Sequence, residues 1–113
     1  MKVAVIGSRS FNDYDQLRDV LKQINVTTII SGGAIGADRL AERYAKENNI
    51  STEIYLPDWN KHGKIAGPLR NTIIVEKSDL IVAFWDGQSR GTKDSINKAQ
   101  KLNKQTLIIH FNN

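Results

Sequence analysis

Four short segments of this chain hold the side chains able to do chemistry. The first reads Gly7-Ser8-Arg9-Ser10-Phe11-Asn12-Asp13. Glycine permits a sharp turn off a strand. Ser8 and Arg9 then present a hydroxyl and a guanidinium, a pairing suited to an anionic or ribosyl group. Asp13 is expected to cap the next helix, which leaves Arg9 unexplained by capping. The second segment reads Ser31-Gly32-Gly33-Ala34-Ile35-Gly36-Ala37-Asp38. Its small residues let backbone N–H groups approach a phosphate or ribose at a positive helix end. It is neither a Walker A loop nor GxGxxG. Tight helix–sheet packing, with Asp38 favouring the helix dipole, accounts for it equally well.

The third segment holds Asp58-Trp59 and then Gly63-Lys64-Ile65-Ala66-Gly67-Pro68-Leu69-Arg70-Asn71. Pro68 suits the first position of a helix, which would place Arg70 and Asn71 in its first turn. Leu69 and Ile73 would form the buried stripe, with Arg70 beside it, facing either a ligand or a buried carboxylate of Asp38 or Asp58. Trp59 offers a stacking surface or plain packing. The fourth segment, Asp86-Gly87-Gln88-Ser89-Arg90-Gly91-Thr92-Lys93-Asp94-Ser95, opens another helix. Gly91 and Thr92 supply N–H groups and a hydroxyl for an anion, or Thr92 simply caps. Two such cradles together with Arg9 and Arg70 point to a nucleotide-like ligand more strongly than any one of them.

The elements that must position these segments are legible from patterning. β-Branched apolar runs occur at Val3–Ile6, Thr27–Ile30, Thr52–Leu56, Leu80–Phe84 and Thr106–Ile109. Between them, Tyr14, Leu17, Leu21 and Ile24, then Ala37, Leu40, Ala41, Tyr44 and Ala45, repeat with helical spacing. In the last helix Ile96, Ala99 and Leu102 share one side, and Lys93, Lys98, Lys101 and Lys104 the other, which reads as a solvated face. Five strands joined by four helices predict a doubly wound α/β sandwich. Its parallel sheet should have the order 3-2-1-4-5, with helices on both faces. Ligands of such folds bind beyond the carboxyl ends of the strands, at the switch point.

The 113 residues fit one domain, 1–113. There is no cysteine, hence no disulfide, zinc ribbon or thiol nucleophile, and two histidines are too few for a histidine-built metal site. No metal and no cofactor is expected. The net charge is +4, and residues 61–113 carry nine of the sixteen basic side chains but only four of the twelve acidic ones. That asymmetry fits phosphate binding or a lysine-rich face. No apolar run approaches a membrane span, and no signal peptide is evident, so a cytoplasmic protein is expected.

The order Gly7-Ser8-Arg9 with Phe11, Ser31-Gly32-Gly33-Ala34-x-Gly36-Ala37-Asp38, Asp58-Trp59, Gly63-Lys64-x-Ala66-Gly67-Pro68-x-Arg70-Asn71 and Gly91-Thr92-x-Asp94 resembles the YspA-like branch of the SLOG superfamily. That Rossmann-like group includes DprA and the LOG phosphoribohydrolases. The resemblance implies a five-stranded parallel sheet and a nucleotide-derived ligand over the glycine loops. Sensing or sequestering NAD- or ADP-ribose-related signals in phage–host conflict is its proposed setting. LOG enzymes carry Pro-Gly-Gly-x-Gly-Thr-x-x-Glu, and here Ser95 stands at the glutamate position. A binding protein is therefore the leading expectation, with Gly7, Ser8, Arg9, Ser31, Gly32, Gly33, Gly36, Asp38, Asp58, Trp59, Arg70, Asn71, Gly91 and Thr92 as ligand-binding residues. The alternative is a nucleotide N-glycosidic hydrolase using Asp94 and Arg70. A DprA-like nucleic-acid binder is less favoured, because the lysines point outward and aromatics are few. A homodimer is expected by analogy with LOG relatives.

Overall fold

The structure, a computed structural model, describes residues 1–112. Its strands are β1 (Lys2–Gly7), β2 (Thr28–Ser31), β3 (Ser51–Ile54), β4 (Leu80–Trp85) and β5 (Gln105–His110). Its helices are α1 (Tyr14–Lys22), α2 (Ala37–Glu47), a short α3 (Trp59–His62), α4 (Ala66–Lys77) and α5 (Arg90–Lys101), with a 3-10 turn at Gly63–Ile65. The sheet is parallel throughout, in the order β3-β2-β1-β4-β5 expected of the sequence.

Side chains alternate across a strand, so β1 feeds two cores. Val3 and Val5 join Leu17 and Leu21 of α1 and Ala41, Tyr44 and Ala45 of α2 on one face. Ala4 and Ile6 join Ile74 and Val75 of α4 and Ile96 and Ala99 of α5 on the other. Central strands β1 and β4 are buried almost throughout, whereas edge strand β3 is largely exposed. Asp13 caps α1 as expected, accepting from the Gln16 N–H at 3.0 Å. That bond satisfies one of the unpaired donors of the first turn.

Several expectations need correction. Helix α4 starts at Ala66, two residues before Pro68, so Arg70 and Asn71 fall in its second turn. Its sheet-facing row is Ala66 and Ile74, with Arg70 between them. Leu69 and Ile73, expected inside, are exposed. At 100° per residue they lie on the flank of α4 opposite Asn71, which is turned to α5. Leu102 is also exposed, just past the end of α5. Two lysines expected to be solvated are structural. Lys98 Nζ donates to the Pro68 carbonyl at 2.6 Å and pairs with Asp94 at 2.9 Å. Lys104 Nζ donates to the carbonyls of Glu76 and Ser78, neutralising the negative end of α4.

Candidate functional site

The loops that follow β1 and β4 separate in opposite directions, and a cleft of about 770 Å³ opens between them. This is the switch point of the sheet. Its walls include Gly7, Ser8 and Arg9 after β1, Asp38 of α2, and Trp59 of α3. Arg70 and Asn71 of α4, and Gly91, Thr92 and Asp94 of α5, complete the set of expected residues on the wall. Asp86, Ser89 and Arg90 line it too and were not expected. Their signal was their position in the fourth segment, just ahead of Gly91-Thr92.

Ser8 is buried and ties the two diverging loops together. Its N–H donates to the Phe84 carbonyl at 3.0 Å, and its Oγ accepts from the Asp86 N–H at 3.2 Å. Gly7 is required by packing, since a Cβ there would lie 2.5 Å from the Phe84 carbonyl oxygen. Arg9 is exposed on the wall. After β4, the Asp86 carboxylate accepts from the N–H groups of Gln88 and Ser89 at 2.9 and 2.8 Å. The chain thus turns into α5 with Ser89 at the N-cap position, in place of Thr92. The Ser89 hydroxyl makes no capping bond and lies 3.1 Å from Thr92 Oγ1 instead. The first turn of α5, Arg90-Gly91-Thr92, directs its N–H groups without that cap toward the cleft end of the helix.

The second glycine segment behaves otherwise than expected. Ser31 is buried, donates to Glu42 Oε2 at 2.8 Å and accepts from the Gly33 N–H at 3.1 Å. Asp38, 8% exposed, accepts from the Ala34 N–H at 3.1 Å. The anion in this cradle is therefore the chain's own carboxylate. Gly33 and Gly36 have φ of +74° and +88°, the left-handed region that favours glycine. A Cβ on Gly36 would strike backbone atoms of Ser8 and Arg9. Its glycine serves the approach of the first loop to the second. Ser31, Gly32, Gly33 and Gly36 are not on the cleft wall, and neither is Asp58, which caps α3 by accepting from the Lys61 N–H at 3.1 Å.

Arg70 crosses from α4 to this segment. Its Nη1 donates to the Gly32 carbonyl at 2.7 Å and its Nε to Asn71 Oδ1 at 3.1 Å. Asn71 Nδ2 in turn donates to Asp94 Oδ2 at 3.1 Å, which also receives Lys98. A chain of polar contacts thus runs from the β2–α2 loop through α4 to α5. Burial pushes the Asp38 carboxyl up to about 6, against the Ala34 N–H and the Arg70 charge, which pull it down. Burial likewise lowers the Arg70 guanidinium, with Asp38 opposing and Arg9 adding to the effect. Of the two carboxylates weighed as neighbours of Arg70, Asp38 is the one that faces it. Trp59 is 56% exposed at the rim, close to Gly67. Among the described residues no group of three or more His, Asp or Glu side chains could hold a metal, and no helix is long and apolar enough to cross a membrane.

Comparison with known proteins gives the family and the fold. Residues 1–62 match the model of the YspA, cpYpsA-related SLOG family. The Gene 61 protein of Mycobacterium phage D29 is 37% identical over 111 residues, covering 88% of this chain and 89% of that protein. The chain belongs to the YspA, cpYpsA-related SLOG family. The same fold occurs in DNA processing protein A (DprA) of Streptococcus pneumoniae, with a TM-score of 0.81 at 22% identity over 97% of this chain. DprA of Helicobacter pylori, in a structure reported for its single-stranded DNA binding mode, gives 0.74 at 26% identity over 96%. The chain spans 50% and 64% of those two DprA chains.

Proposed function

We propose that this protein binds a nucleotide-derived ligand, of the ADP-ribose or nucleoside phosphate type, in the cleft between β1 and β4. One observation carries the reading. Arg9, Arg70 and Arg90 meet the first turn of α5 in a cleft of about 770 Å³. A volume of that order suits a small-molecule ligand. Guanidinium groups and helix N–H donors suit phosphate oxygens. Arg9 and Arg70 neutralise phosphate charge, Gly91 and Thr92 supply donors, and the exposed Trp59 indole packs on a base or ribose. Gly7 and Ser8 form the floor. Ser31, Gly32, Gly33 and Gly36 act one layer back, shaping the loop that carries Asp38 and receives Arg70, while Asp58 places Trp59 by capping α3.

The phage origin of the 37% identical relative supports a setting in phage–host conflict, with the ligand sensed or sequestered in the cytoplasm. An exposed apolar row, Ile65 just before α4 and Leu69 and Ile73 on it, supports pairing of two copies. Native mass spectrometry of the purified protein tests for a carried-over nucleotide, and calorimetry with ADP-ribose tests for binding. Binding that disappears in Arg9→Ala and Arg70→Ala is the expected result. No binding of ADP-ribose, AMP or NAD overturns it.

A second reading, single-stranded nucleic acid across the same cleft, is favoured by the likeness to the Helicobacter pylori DprA structure. Lys61, Lys64 and Lys93 are exposed on segments flanking the cleft. Binding of an oligonucleotide with steep salt dependence, and none of mononucleotides, would select it.

A further inference from the structure

Asp38 sits in the wrong place for a residue that merely caps a helix. It is almost wholly buried, accepts the Ala34 N–H, and borders the cleft. A Cβ at Gly32 would lie 3.0 Å from Asp38 Oδ2 and 2.4 Å from Arg70 Nη1, so carboxylate and guanidinium converge over the same bare backbone. We propose that the Asp38 carboxylate is a built-in anion that fills the cradle of the β2–α2 loop and competes with a ligand's phosphate for Arg70, so that anion binding is coupled to proton uptake at Asp38. This rests on the ligand reading above.

The chemistry follows from the groups around it. Arg70 of α4 is the cation facing Asp38, and Arg9 of the first loop faces Arg70 in turn. Glu42, one turn along α2, adds a like charge. Arg39 of α2 donates to the Gly33 carbonyl on the outer side of the loop. The remaining partners of the carboxylate are backbone N–H groups of Ala34 and Gly32. A phosphate drawn to Arg9 and Arg70 places a second anion beside the buried Asp38 carboxylate. Two anions sharing one cation disfavour joint ionisation. The cheaper state has the carboxylate protonated from solvent, one O–H bond formed and no other bond changed. The neutral acid still accepts the Ala34 N–H through its second oxygen.

Sulfate is the probe, because it is dianionic and does not titrate near neutrality. Its binding is followed by NMR on the Arg70 Nε–H, and the Asp38 side-chain carboxyl carbon is titrated with and without it. The wild type should lose affinity by about tenfold between about pH 5 and pH 7.5, the size expected for one unit of coupling. The Asp38 midpoint should rise when sulfate is present. Asp38→Asn, which keeps the acceptor for Ala34 but not the charge, should bind sulfate more tightly at neutral pH and with a flat profile. The carboxyl titration of the wild type stands independently should that variant fold poorly. Equal binding by wild type and Asp38→Asn, or an Asp38 midpoint that sulfate does not move, overturns this proposal alone. Absence of sulfate binding to both proteins at every pH overturns it together with the ligand reading.

Discussion

The Gly32 carbonyl oxygen accepts Arg70 Nη1 at 2.7 Å, and a Cβ on Gly32 would come within 2.4 Å of that same nitrogen. The guanidinium lies against bare backbone, and only glycine leaves it that place. Gly32 is not at positive φ, so alanine imposes no backbone strain there. Gly32→Ala should therefore displace the end of a flexible side chain while the fold survives. Affinity for ADP-ribose should weaken by about 1–2 kcal/mol, the scale of one charged hydrogen bond. Calorimetry checks this, and an unchanged affinity would remove the Arg70 pose from the site.

Gly36 should behave oppositely. Its φ is +88°, and a Cβ would stand 2.5 to 2.8 Å from the backbone of Ser8 and Arg9. Backbone cannot swing aside as an arginine tip can. Gly36→Ala should cost about 2–4 kcal/mol of stability, from strain plus displacement of the first loop. A urea midpoint equal to the wild type would contradict the packing of the first loop on the second. Gly33, at φ +74°, shares the strain, so replacing it with valine tests backbone conformation rather than ligand approach.

Arg70→Ala should separate the two roles of that side chain. As a phosphate partner it is worth about 2–4 kcal/mol of binding. As a donor to Gly32 and Asn71 it also supports the fold, so the melting temperature should drop by a few degrees. Arg70→Lys should regain charge but not affinity, because an ammonium cannot reach both the Gly32 carbonyl and a phosphate. Full affinity in the lysine variant would show that only charge matters.

The pH dependence of stability should carry the signature of Asp38. Its carboxyl rises from 3.8 to about 6 on folding, so the folded state holds the proton more tightly than the unfolded chain. That contribution is fully present below about pH 4 and is lost as pH rises through about 6. It amounts to about 3 kcal/mol. Glu47, exposed, and Glu53, partly buried, are lowered by Tyr14 and Lys2 respectively and contribute with the opposite sign. They are shared with Asp38→Asn, so the difference between the two proteins isolates Asp38. Urea unfolding of both at pH 4 and pH 7 should show the variant gaining on the wild type at the higher pH. A constant difference would place Asp38 in water.

What could be read in the sequence divides along physical lines. The sheet and its order were legible, because β1 and β4 are continuous apolar runs and the switch point follows from order alone. The cleft loops were legible for the same reason, and Arg9, Arg70, Asn71, Gly91 and Thr92 do meet there. The glycine segment was legible as an anion cradle but not as a filled one. Asp38 lies in the first turn of α2, where a favourable dipole is the simpler expectation, and only the folded loop shows its carboxylate turned back onto Ala34. The inner side of α4 is not legible, because Leu69 and Ile73 look like core. The helix instead turns Arg70 inward, where Gly32 has cleared room for it.

The remaining prediction concerns catalysis. A hydrolase acting on an N-glycosidic bond passes through an oxocarbenium-like state and needs a carboxylate in hydrogen-bond reach of the bond or its water. Ser95, at the position of the LOG glutamate, is buried, and its hydroxyl has no accessible ionisation without a partner base. Asp94 reaches the cleft wall, but its Oδ2 is held by Asn71 at 3.1 Å and by Lys98 at 2.9 Å. Those two contacts tie the side chain to α4 and α5. A fixed carboxylate one position away from the reacting bond forfeits much of the benefit, since a misplacement of about 1 Å costs about 100-fold. Asp86, the other carboxylate on that side, already accepts the Gln88 and Ser89 N–H groups. We therefore expect AMP, CMP and NAD to survive long incubation with stoichiometric protein, as followed by chromatography. Free base that appears with wild type and vanishes with Asp94→Asn would make Asp94 the catalytic carboxylate. Lys98→Met is the discriminating companion. If Lys98 holds Asp94 in a structural pair, the substitution lowers stability and releases no base. If Asp94 works on substrate, freeing it from Lys98 changes the rate of base release and its pH profile.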